Sequence, residues 1–216
     1  MELVVKIAFW SVPVLVAVIL HELAHGYTAY QLGDPTAARL GRLSLNPISH
    51  VDMFGTILLP LFLVLTGSPI LFGYAKPVPV DFTNLRNPRR DMVSVAAAGP
   101  AMNLFLATLS AFLLHQLQAP QLPLDLPHAQ PESTGLVAAM LTASVFINVA
   151  LAVFNLFPLP PLDGGRVAVG LLPRGLALPL ARLEPYGFFI LIGLLMTGIL
   201  GDMIRPVTVF LLGALL

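Results

Sequence analysis

Cysteine is absent from the 216-residue chain, and Asp, Glu, Lys and Arg together make up only 10% of it. The first absence excludes disulfides and thiolate metal ligands, so any zinc must be held by His, Asp or Glu. The second leaves too few polar segments to cover a soluble core, because 57% of the residues are hydrophobic and the mean hydropathy is +0.88. Net charge is zero and the basic residues are dispersed, which excludes nucleic acid as a partner. Runs without Asp, Glu, Lys or Arg cover residues 7–21, 53–75, 92–124, 133–162 and 185–201. Most approach the roughly 20 residues that a spanning helix needs. The chain is therefore predicted to be a single all-α, polytopic membrane bundle of about five to six hydrophobic segments with the lipid bilayer as solvent. One short segment is expected to be re-entrant or extended.

Against that background, His21-Glu22-Leu-Ala-His25 stands at the end of an apolar stretch, Val4 to Leu20, interrupted only by Lys6 and Ser11. Two histidines four apart on a helix share a face and can share a metal, and the intervening glutamate can serve as general base toward a bound water. Ionisable groups in a hydrocarbon-length helix are costly and are retained mainly where they work. A chance match, with the histidines bonded to backbone carbonyls, is the plain alternative. Although Lys6 precedes an apolar run, no small-residue cleavage pattern follows, so the segment is expected to stay as an anchor rather than leave as a signal peptide.

A second constellation runs from Asn155 through Phe157, Pro158, Pro160, Pro161, Asp163, Gly164 and Gly165 to Arg166. The prolines stop a helix and the glycines permit a tight turn close to other backbone, so Asp163 is presented on a rigid hook. His21, His25 and Asp163 would give a catalytic zinc its three protein ligands; otherwise Asp163 caps the helix carrying Arg166. Asn155 could donate to a tetrahedral oxyanion or bond a backbone carbonyl near its helix end. Asn103 and Asn148 read first as interhelical hydrogen-bonding groups, and the alanines around Gly99 and Pro100 as a small-residue patch for close approach to the zinc helix. His50 and Asp52 could compete for the third ligand position or gate a substrate path, or they could cap a loop at the membrane surface.

Three segments in order resemble the site-2 proteases, intramembrane zinc metalloproteases of peptidase family M50: His21 to His25, Ala98-Gly99-Pro100-Ala-Met-Asn103, and Asn155 to Gly165. Gly41 to Asp52 and Gly73 to Pro79 are similar to a compact prokaryotic branch. The resemblance implies one Zn2+ per chain held by His21, His25 and Asp163, Glu22 as general base, and Asn155 at the substrate carbonyl. His50, Asp52 and Asn103 are candidates for supporting or substrate contacts. It also implies a zinc helix over about 4–30, a central helix over about 92–117, an Asp-bearing helix and loop over about 135–166, and C-terminal helices over about 186–216. The implied substrates are single-pass transmembrane proteins, in the classes of anti-sigma factors and remnant signal peptides. A membrane metal transporter and a noncatalytic metal-binding scaffold are the rival readings. Polar residues gathered in one cluster disfavour the first, and three ligands rather than four disfavour the second.

Basic residues set the expected topology. Arg166, Arg174 and Arg182 with Lys76, Arg86, Arg89 and Arg90 place the active site toward the cytoplasmic side of a prokaryotic membrane. Residues 53–66 are expected to descend as a helix, and Ile70 to Val80 to return extended beside the site, where it could pair with an unwound substrate by strand addition. The C-terminal part is expected to hold one span over 186–200 and a short apolar end after Arg205-Pro206.

Overall fold

The computed structural model describes residues 2–66, 75–117 and 135–216. Among these the protein is all-helical, with no strand. Nine α-helices follow in order: α1 Glu2–Gln31, α2 Thr36–Arg39, α3 Leu59–Leu65, α4 Pro88–Gln116, α5 Leu136–Asn155, α6 Asp163–Leu171, α7 Arg174–Ala181, α8 Glu184–Met196 and α9 Ile199–Leu215. Three are long and apolar enough to cross a membrane, over Ser11–Gln31, Pro88–Gln116 and Leu136–Asn155. A fourth span results if α7 and α8, bent by 73°, are taken together. Among the described residues, the other apolar stretches form shorter helices, such as α3 and α9, and the all-helical membrane class is as expected. Outward faces such as Val12, Val14, Leu15 and Val16 on α1 and Phe105 and Phe112 on α4 are exposed, as an integral membrane protein requires.

Helix α4 is the centre of the bundle, packed against α1, α5 and α6. It starts at Pro88, earlier than expected, because Asn87 and the first-turn proline open the helix and the buried Asp91 carboxylate accepts from the Asn87 N–H at 2.8 Å. Small residues on α4 and branched ones on α5 form the main apolar core, Ala107 and Ala111 against Val145 and Val149, closed by Leu212 of α9. Arg205-Pro206 does not interrupt the C-terminus as expected. Pro206 lies inside α9, which packs along α5 and α8.

Residues 53–66 are helical as expected, a π-helical turn over Met53–Leu58 leading into α3. Residues 67–74, which include the start of the expected returning segment, and residues 118–134 lie outside the described residues. The returning segment is described from residue 75 onward, where it has no regular structure until a 3-10 turn at Phe82–Asn84.

Asp34 fastens this segment to the end of α1. Its carboxylate is buried and accepts from the N–H of Asp81 at 2.8 Å, the Asn84 amide at 3.0 Å, the N–H of Thr36 at 3.1 Å and the Thr36 hydroxyl. Burial pushes this carboxyl up, but the bonds from the Thr36 hydroxyl, the Asn84 amide and the two backbone N–H groups outweigh it and hold the group below its usual range. A folded-state value below the unfolded one of about 3.9 gives stability that is present above about pH 4 and lost as pH falls through the folded value. Asp34→Asn should cost about 1–3 kcal/mol, since an amide N–H would face the Asp81 N–H. Thermal unfolding in detergent between about pH 6 and pH 3 checks both points: the wild type should lose stability more steeply at the acid end than the variant.

Candidate metal centre

His21 and His25 lie one turn apart on the buried side of α1, and α4 crosses them at Gly99. A methyl group at Gly99 would fall 2.6 Å from His21 Nε2 and closer still to His25 Nε2, so only glycine lets the helices meet here. The small-residue patch expected to face the zinc helix does so.

Two contacts from α4 fix both rings. His25 Nδ1 lies 2.7 Å from the Val95 carbonyl oxygen, which can only accept, so Nδ1 carries the hydrogen and Nε2 offers its lone pair. His21 Nδ1 lies 2.5 Å from Asn103 Oδ1 and is held in the same tautomer. Both Nε2 atoms then point at Asp163.

Asp163 is brought there by the hook. Pro158, Pro160 and Pro161 prevent α5 from continuing past Asn155, and the chain doubles back so closely that a Cβ at Gly164 would strike the Leu156 carbonyl group and one at Gly165 the Pro160 backbone. Asp163 is the first residue of α6, following the N-cap residue Leu162, and its Oδ2 is directed away from any hydrogen-bond donor. Its Oδ2 lies 3.2 Å from His21 Nε2 and 3.3 Å from His25 Nε2, and the two nitrogens are 3.0 Å apart. Arg89 of α4 bonds the carbonyls of Gly170 and Leu172 and so ties the far end of α6 to the bundle.

Three buried acceptors thus converge, and Asp163 Oδ2 has no hydrogen-bond partner. Ligand distances of 2.0–2.2 Å at a tetrahedral zinc place ligand atoms about 3.3 Å apart, close to the spacing seen. The donor set and the orphaned oxygen fit zinc. His25 does bond a backbone carbonyl, but through Nδ1, which leaves its Nε2 in the cluster with His21 and Asp163.

Glu22, on the same helix, accepts from the Val78 N–H through Oε2 at 2.6 Å. The extended segment therefore passes beside the site as expected, with several of its main-chain groups already engaged. The Lys76 N–H donates to the His50 carbonyl, that of Val78 to Glu22, Pro77 and Pro79 have none, and Arg42 takes the carbonyls of Lys76 and Pro77.

His50 and Asp52 do not join the cluster. His50 is buried with Nε2 on the Ser44 carbonyl at 2.7 Å, and Asp52 caps the π-helical turn, accepting from Phe54 and Gly55. They orient a loop. Asn155 spends an amide hydrogen on the Leu151 carbonyl of its own helix at 3.0 Å, the backbone role. Asn103 bonds a candidate ligand directly. The backbone groups of Val78 and Val95 went unread in the sequence because main-chain N–H and C=O carry no residue signature.

A histidine-carboxylate site with a neighbouring glutamate, buried among membrane helices, defines a membrane metallopeptidase. The sequence profile described as Peptidase family M50 matches residues 9–143 and 115–197. YwhC of Bacillus subtilis (strain 168), named a candidate zinc metalloprotease, is 40% identical over 186 residues, which are 86% of this chain and 79% of that one. Rip2 of Mycobacterium tuberculosis, named likewise, is 34% identical over 161 residues, 74% of this chain and 54% of that protein. Rip2 of Mycolicibacterium smegmatis is 30% identical over 195 residues, 90% of this chain and 67% of that protein. No solved structure matches. The chain belongs to peptidase family M50, and it is a zinc metallopeptidase of the site-2 protease type.

Gly99→Ala should displace both imidazoles and lower zinc affinity by at least the roughly 10- to 100-fold typical of lost ligand support. Zinc content of purified protein after dialysis against a graded chelator series checks it. Retention equal to the wild type would mean that the rings are free to move aside.

Proposed function

We propose that this protein is an intramembrane endopeptidase that cleaves the transmembrane segments of single-pass membrane proteins, with His21, His25 and Asp163 holding the zinc and Glu22 acting as general base. The observation that carries the reading is the convergence of two imidazole nitrogens and an orphaned carboxylate oxygen beside a glutamate at membrane depth. When bound, zinc supplies Lewis acidity, polarising a carbonyl and lowering the pKa of a coordinated water toward about 7. Glu22 takes the proton of the attacking water and returns it to the leaving amine. The Val78 N–H holds one carboxylate oxygen and thereby aims the other. Asn155, at the mouth of the hook, is assigned to the substrate carbonyl oxygen on the family resemblance, which requires a donor besides the hydrogen bonded to Leu151.

A substrate helix spends its carbonyls on its own hydrogen bonds, so the cleaved stretch must unwind before it reaches the site. Remnant signal peptides and anti-sigma-factor-like proteins have the required single span. Cleavage of a panel of such segments by detergent-purified protein tests the activity. Glu22→Gln should keep its zinc and lose roughly 100- to 10,000-fold in turnover. Bound zinc without cleavage in the wild type would instead favour transport or scaffolding.

The basic residues before α4 and through α6 and α7 support an orientation with the metal centre toward the cytoplasmic side of a prokaryotic cytoplasmic membrane. Because the chain has no native cysteine, single cysteines introduced at residues 84–91 report their side directly. They should be blocked only by reagents that cross the membrane, and labelling from outside the cell would reverse the orientation.

A further inference from the structure

The hydrogen bond that holds His21 does not end at Asn103. Asn103 Nδ2 lies 3.2 Å from the Ala17 carbonyl oxygen and 2.8 Å from Asn148 Oδ1, and Asn148 Nδ2 lies 2.9 Å from the Ser144 carbonyl oxygen. Both asparagines are fully buried, at 0% exposure, in the interior between α1, α4 and α5. Amide nitrogen and oxygen are told apart by their partners. Here the partners are decisive, because a backbone carbonyl can only accept. Ser144 therefore fixes the Asn148 NH2 group toward itself and turns its oxygen to Asn103. Ala17 and that oxygen together claim both hydrogens of Asn103, which leaves only Oδ1 to face His21. The imidazole must answer with Nδ1–H, and its Nε2 stays bare for a metal.

We infer that Asn148 is a positioning residue of the metal centre: acting through Asn103, it fixes the tautomer and ring orientation of His21 from the neighbouring helix. This rests on His21 being a zinc ligand. The polarity of the chain is what makes it more than bundle glue. A reversed Asn103 amide would present N–H to His21 Nδ1, transfer the ring hydrogen to Nε2 and block the ligand position. Ser144 Oγ, 3.2 Å from Asn148 Nδ2 and 2.8 Å from Ser110 Oγ, adds a further contact but fixes no direction, since a hydroxyl can both donate and accept.

The test compares Asn148→Leu, Asn148→Asp and Ser144→Ala with the wild type and His21→Ala in the full-length detergent-solubilised protein. Each is read by zinc competition against a chromophoric chelator, by the visible ligand-field spectrum after cobalt substitution and by thermal unfolding of the metal-free form. Asn148→Leu removes the acceptor and should weaken zinc about 3- to 10-fold, below the 10- to 100-fold typical of a direct ligand partner, and shift the cobalt bands. Asn148→Asp, as the neutral acid favoured in apolar surroundings, still accepts from Asn103 and donates to Ser144, so it should restore the affinity and spectrum of the wild type. Ser144→Ala should leave both unchanged. Wild-type zinc affinity and an unshifted spectrum in Asn148→Leu, with His21→Ala defective, would overturn the inference while leaving the ligand assignment intact. Wild-type affinity in His21→Ala would overturn the assignment itself. Equal loss in Asn148→Leu and Asn148→Asp would reduce Asn148 to a packing residue.

Discussion

Three hydrogen-bond acceptors held 3.0–3.3 Å apart in an apolar interior are the constraint on which the rest of this structure depends. Lone pairs facing one another without a hydrogen or a cation between them repel, and a buried unsatisfied polar atom costs about 1–3 kcal/mol even before charge is counted. The cluster persists only if the surrounding bundle over-determines it. Each ligand accordingly has its own fixation: Val95 for His25, Asn103 for His21, and the proline hook with its two glycines for Asp163. A metal ion satisfies all three acceptors at once, and the apolar surroundings that make unpaired acceptors expensive favour its binding.

Helix α4 carries most of this arrangement although it supplies no ligand. Within nine residues it gives the Val95 carbonyl, the opening at Gly99 and the Asn103 amide, and at its start Arg89 reaches the carbonyls of α6. Residues 95, 99 and 103 recur every four, the spacing that keeps them on one helical face. That face meets α1, while Ala107 and Ala111 further along meet α5. A helix with small residues can approach two neighbours at backbone distance, which is the main source of affinity between helices in lipid.

The residues that gather in the cluster stand out in the sequence because their chemistry is in their side chains, and His21, Glu22 and His25 share a helical spacing. The hook was legible because proline and glycine each restrict or widen backbone conformation in a known way. His50 and Asp52 show the limit of that reading. A histidine and an aspartate near an apolar run look like ligands whatever they do, and only the structure shows Ser44, Phe54 and Gly55 as their partners. Asn148 reads as an interhelical hydrogen-bonding group and makes such a bond to Asn103; what the sequence does not carry is the direction of each hydrogen bond, which separates a relay from glue. The division of the apolar runs was not legible, because a charge-free run does not reveal the turns within it, as between α7 and α8.

The segment from residue 75 to 81 passes beside the site, as its sequence suggested, and is held there by specific main-chain contacts. An alternating Pro-Val stretch beside a protease site invites the idea of a strand offered to substrate. Its N–H groups are instead directed inward, at Val78 to Glu22 and at Lys76 to the His50 carbonyl, and two of the intervening positions are prolines without one. A single hydrogen bond at 2.6 Å from a rigid main chain restricts a glutamate that otherwise has three rotatable bonds, lowering the entropy lost when the base is aligned. The Asp34 latch then gains a functional meaning, because it holds residues 81–84 to the end of the zinc helix. Helix α1 thus carries His21, Glu22 and His25, and Asp34 just past its end anchors the segment that contacts Glu22, while Asp163 is delivered from α6. The spacing of the first three is set within one element, and only the carboxylate has to be brought in across the bundle.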